Sequence, residues 1–146
     1  MAALEAKRNP TTGKVSVMSD SSQQVSEKID EIESAYEFML AYAAQGRTEE
    51  IDEPEGIRAY LRSAETAIEQ LTNLRPSDIG MPNSDTATAQ FLELVASDAA
   101  RASTIIHFVL RQPSIGSQLI DNLNASIHIR TLLTDLFVLD EAIAGQ

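Results

Sequence analysis

Residues 25–43 read VSEKIDEIESAYEFMLAYA. Val25, Ile29, Ile32, Tyr36, Met39 and Ala43 step by four, three, four, three and four. A helix stacks such positions on one side, whereas a strand scatters them over both faces. The stretch therefore predicts a helix with a heptad seam, the pattern of bundles and coiled coils. The SDSS run at 19–22 supplies hydroxyl and carboxylate N-caps ahead of it. Gly46 supplies a C′ residue behind it. Glu27, Lys28, Asp30, Glu31 and Glu33 form the opposite, solvated face.

The same period returns downstream. Ile57, Leu61, Ala64, Ile68 and Leu71 predict a second helix. Asp52 and Glu55 read as its capping box with Pro54 in the first turn, and Arg75-Pro76 ends it. PSDIGMPNS, residues 76–84, makes the longest internal loop. A third helix begins at Ser84 or Asp85, buries Leu92, Val95, Ala99, Ala102, Ile106 and Val109, and stops at Pro113. A fourth is predicted from about Ser114 to Ala144, amphipathic through Leu119, Leu123 and Ile127 and then apolar almost all round in LLTDLFVLDEAI. A helix that is apolar on every side is central or covered. A second subunit seated on Leu132, Leu136, Phe137, Leu139 and Ile143 is the expected cover. The fold expected is all-α: an antiparallel four-helix bundle over 21–146, preceded by an extended arm over 1–20.

Charge divides at the same boundary. The chain has 146 residues and a formal charge of −11. Residues 1–19 hold Lys7, Arg8, Lys14 and one acid, Glu5, a net +2. The remainder holds eight cations and 21 acids, a net −13. Such a field repels phosphate backbones and anionic lipid, so neither nucleic acid nor a membrane is an expected partner. Behind the NPTTG turn, Val15, Val17 and Met18 alternate with polar residues as an extended segment does. Lys7, Arg8, Lys14, Val15, Val17 and Met18 are accordingly the expected partner-docking residues, in cis or in trans.

Composition removes several chemistries. There is no cysteine, so disulfides, thiolate metal sites and cysteine nucleophiles are excluded. MAALEAKRNP lacks the apolar core of a signal peptide, and no stretch approaches the roughly 20 apolar residues of a membrane span, which gives a cytoplasmic expectation. TTGK at 11–14 is not a phosphate-binding loop, because the first glycine and the Ser/Thr after the lysine are missing. Carboxylate-bridged metal pairs in bundles need Glu-x-x-His, but Thr104 and Ala125 precede His107 and His128 by three residues. No metal and no cofactor is expected. No Gly-x-Ser-x-Gly elbow occurs, and Glu65 and Glu69 read as ordinary surface acids one turn apart. The chain is not expected to be an enzyme.

Two constellations stand out from the solvated faces. IIHFVLRQPSIG, residues 105–116, loosely resembles the phosphoacceptor segment of histidine-kinase dimerisation helices. Leu110, Arg111 and Pro113 each come one place late, and Phe108 stands where that family has an acid. The resemblance implies His107 as a candidate phosphoacceptor. Asp98 and Arg101, spaced i, i+3, are placed to pair. Arg130, between Ile127 and Leu133, is expected to point inward and meet Asp98, fixing helix register. Alternatively, Arg101 and Arg130 hold a small anionic ligand between helices. Tyr36, Tyr42 and Tyr60 are expected to be packed rings with wet hydroxyls.

The functional expectation is a small, acidic, non-catalytic bundle acting by protein–protein interaction, as an accessory, regulatory or assembly subunit, and as a homodimer. The alternatives are histidine phosphotransfer through His107 and anion binding through Arg101 and Arg130.

Overall fold

The computed structural model describes residues 19–82 and 85–146. The arm residues Lys7, Arg8, Lys14, Val15, Val17 and Met18 lie outside that range. The described residues are helical, without strands: α1 (Asp20–Ala44), α2 (Ile57–Glu69), a short 3-10 turn (Pro76–Ile79), α3 (Thr86–Leu110), α4 (Ser117–Asn124) and α5 (Ile127–Ala144). There are thus five helices among the described residues where the pattern predicts four.

Side-chain caps fix three of the starts. Ser19 Oγ accepts from the Ser22 amide at 3.0 Å, Asp85 from Ala87 at 3.0 Å, and Ser126 from His128 at 3.2 Å. Gly46 follows α1 at φ +65°, the left-handed conformation that its C′ position requires. The second helix departs from expectation. Gly56, not Asp52, is its N-cap, no side chain caps it, and Asp52 and Glu55 stay exposed. It ends at Glu69, and the 3-10 turn occupies the start of the expected loop.

The extra helix comes from a break at Ala125-Ser126. Asn124 turns its amide inward and donates to the Met39 carbonyl of α1 at 3.1 Å. Ser126 then caps α5. A polar side chain bound to a neighbouring helix and a serine cap together end one helix and start another without proline or glycine. The break also resets helical phase. Ile127, expected on the inner face, is 71% exposed, and Arg130 points to solvent.

The core runs between α1, α2, α3 and α5, with α4 laid on α1. On α1 the buried apolar set is Val25, Ile29, Ile32, Ala35, Met39 and Tyr42. Ala35 and Tyr42 displace Tyr36 and Ala43, which are half-buried. In the second half of α1 the seam steps one position back, where the chain before α4 holds Tyr42: its hydroxyl donates to the Ile115 carbonyl and its own carbonyl accepts from Ser117 Oγ. On α5, Leu132, Leu136, Leu139 and Ile143 are buried against the chain's own helices. The cover that the apolar helix needs is therefore intramolecular for these four. Of the expected dimer residues, Phe137 alone remains exposed.

Candidate functional site

His107 lies near the end of α3 and turns towards α2. Its Nδ1 is 2.9 Å from Glu65 Oε2, while the side chain is 66% exposed. A carboxylate on Nδ1 fixes the ring tautomer and leaves Nε2 as the free lone pair. Glu65, read from sequence as a plain surface acid, is thus the partner of the histidine. No sequence signal ties the two, because they sit 42 positions apart on different helices.

The expected Asp98–Arg101–Arg130 cluster forms only in part. Arg101 Nη1 is 3.6 Å from Asp98 Oδ1 and donates to Ser97 Oγ at 2.7 Å. Arg130 is exposed and makes no ion pair among the described residues. Asp98 instead faces a residue that pattern reading passed over, Asp135 of α5. Burial first, and then Asp98, push the Asp135 carboxyl up to about 7. Asp135 Oδ2 is buried and receives no hydrogen bond.

On the other flank of α5, Asp140 meets Asp30 and Glu33 of α1, with ligand atoms within 4.8 Å of one another. Asp140 accepts from Ser26 Oγ at 3.1 Å. Burial and the repulsion of Asp30, Asp140 and Glu37 raise the Glu33 pKa from its ordinary value.

At the end of the molecule where α1 gives way to α2, the loops are tied by polar contacts. Arg58 Nε meets Glu50 Oε2 at 2.8 Å, and its other nitrogens donate to the carbonyls of Leu110 at 2.8 Å and Gln112 at 2.6 Å. Glu50 Oε1 accepts from the Ile115 amide at 3.0 Å. Tyr42 is buried, not wet: its hydroxyl donates to the Ile115 carbonyl. Ser117 Oγ donates to the Tyr42 carbonyl at 2.7 Å. Tyr60 stacks on Phe38 at 4.0 Å between ring centroids. This set seats the loop before α4 on the loop after α1. A shallow groove of about 670 Å³ opens beside it, lined by Gly46, Arg47, Thr48, Gly116, Ser117 and Asp121.

Large apolar side chains also reach solvent. Phe137 and Val138 are 53% and 55% exposed side by side on α5, and Phe108 and Ile127 are exposed as well. No described helix is long and apolar enough to cross a membrane. No family model matches the chain, and no curated protein and no solved structure matches it.

Proposed function

We propose that this is a non-catalytic helical protein that works by binding another protein, as an accessory, regulatory or assembly subunit. Its long helices α1, α2, α3 and α5 serve as an antiparallel bundle frame, and its basic leader as a docking arm. The observation that carries the reading is the adjacent pair Phe137 and Val138, each more than half exposed on the helix that buries Leu132, Leu136, Leu139 and Ile143. Isolated exposed apolar residues are ordinary, but two neighbouring ones on a rigid element are a surface that a partner can dry. The acidic body suits a basic partner, and a second copy is an occupant of the same surface.

The test is affinity capture from native lysate with three baits: the full chain, the chain lacking residues 1–19, and Phe137→Ser with Val138→Ser. A stoichiometric protein held by the first bait and lost from either of the others supports the reading. A full chain that retains nothing beyond itself overturns it. Sedimentation of the purified chain reports on the homodimer.

A second reading is favoured by a separate observation. His107 is exposed, and Glu65 holds its Nδ1 so that Nε2 is the nucleophilic atom. A phosphotransfer protein needs that arrangement. Phosphoramidate treatment followed by phosphorus NMR distinguishes the cases. Phosphorylation of His107 at Nε2, faster than that of the exposed His128, supports phosphotransfer. Equal rates at both histidines leave His107 an ordinary surface residue.

A further inference from the structure

We propose that Asp98 and Asp135 hold one proton between them and make the α3–α5 seam a proton-operated latch. With the proton in place, the two carboxyls bridge the helices. When it leaves for solvent, two like charges face each other across the seam.

The two helices run antiparallel: Ile106 of α3 lines a small apolar cavity with Ile129, Leu132 and Leu133 of α5, while Asp98, earlier on α3, meets Asp135, later on α5. Asp98 is only 12% exposed. Asp135 Oδ2 is fully buried and has no donor. A buried carboxylate oxygen without a donor is costly, and a proton supplies the missing bond. The nearest carboxyl able to share it is Asp98. Two carboxyls that share a site cannot both ionise at ordinary cost.

The surrounding charges do not relieve the pair. From α3, Arg101 reaches Asp98 at 3.6 Å, but it is 59% exposed and divides its donors with Ser97. From α1, Asp30 and Glu33 face Asp140. On α5 itself, Arg130 and Asp140 lie five residues either side of Asp135, about 140° around the helix. Glu141 lies about 120° around it. His128 shares its flank two turns away, about 10 Å along the axis. The one charged residue of α4, Asp121, is exposed. The shift of Asp135 towards neutrality agrees with this arrangement.

The sign follows. The folded chain binds this proton more tightly than the unfolded chain, so stability is highest while the proton is held. Stability falls as pH rises from the ordinary carboxylate range to about 7, and stays low above that.

Thermal unfolding of the full chain at about pH 5 and about pH 8 tests it, beside Asp135→Asn and Asp98→Asn. An amide donates to the remaining carboxylate at every pH. Wild type is expected to lose at least about 4 °C between the two conditions, and each variant most of that loss. At the higher pH, Asp135→Asn should be the more stable protein. Glu33→Gln serves as the control for the other acid raised by burial, and it should keep most of the wild-type drop. Carbon NMR of the Asp135 carboxyl in the unaltered chain reads the proton directly. A midpoint near neutrality supports the latch even if one variant fails to fold. A midpoint in the ordinary carboxylate range, or an undiminished drop in both variants, overturns it.

Discussion

Tyr42 shows how one side chain can be read correctly in kind and wrongly in place. An aromatic on a helix of this period is a packed ring. Its hydroxyl, however, is not in water. It donates to the Ile115 carbonyl inside the molecule, and burial raises its pKa above the ordinary phenol value. Tyr42→Phe removes the donor and leaves a buried carbonyl with less than it needs. The expected cost is about 1–2 kcal/mol in urea unfolding followed by circular dichroism. Tyr60→Phe, at a half-buried ring whose hydroxyl has no partner among the described hydrogen bonds, should lie within about 0.5 kcal/mol of wild type. Equal costs for the two would mean that Ile115 is not bound in solution as described. Arg58 is the sharper case. It satisfies two carbonyls at the end of α3 and the carboxylate of Glu50, with the ion pair largely shielded from water. Arg58→Met should cost about 3 kcal/mol, because it strands Glu50 and both carbonyls. In Arg58→Met with Glu50→Gln, part of that cost should return, and the double-mutant cycle measures the coupling.

At the scale of elements, the sequence carries its periods plainly and its interruptions poorly. Three long helices fall where their stripes place them, because apolar spacing and Ser, Asp and Gly caps are local signals. The break between α4 and α5 has no local signal of comparable strength. Asn124 ends the helix by reaching the Met39 carbonyl, 85 positions earlier. Only the assembled fold makes that contact available. The break also decides which residue meets Asp98: a continuous helix aims Arg130 at it, whereas the real phase presents Asp135. His107 stands out in the sequence as one of two histidines, but Glu65 beside it does not, since tertiary pairing leaves no spacing to count. Asn124→Ala tests the account of the break. It deletes the interhelical hydrogen bond and should destabilise by about 1–3 kcal/mol. Ser126→Ala, which removes only the α5 cap, should cost about 1 kcal/mol.

For the whole molecule, the deciding quantity is charge. The described ion pairs are Lys28–Glu31, Arg58–Glu50, Arg75–Asp78, Arg101–Asp98 and His107–Glu65. Only the Arg58 pair is well shielded on both sides, and exposed pairs contribute little. Against them stand 21 acids and eight cations after residue 19. Several acids are gathered where they repel, as Asp30, Glu33 and Asp140 do across the α1–α5 seam. Bringing this charge together opposes folding, and salt screens it within a Debye length of about 10 Å at 0.1 M. The net effect of sodium chloride should therefore be stabilising. Melting temperature should rise by a few degrees between about 0.02 M and about 0.5 M salt, most steeply at the low end. The opposite trend would mean that the few ion pairs outweigh the repulsion. Glu33→Gln should flatten the rise, because it removes the acid that burial and three neighbours already press towards neutrality. Glu69→Gln, at an exposed acid of α2, removes the same unit of charge without that crowding. A larger response at Glu33 than at Glu69 would locate the repulsion in the α1–α5 seam. Equal responses would make it a property of net charge alone.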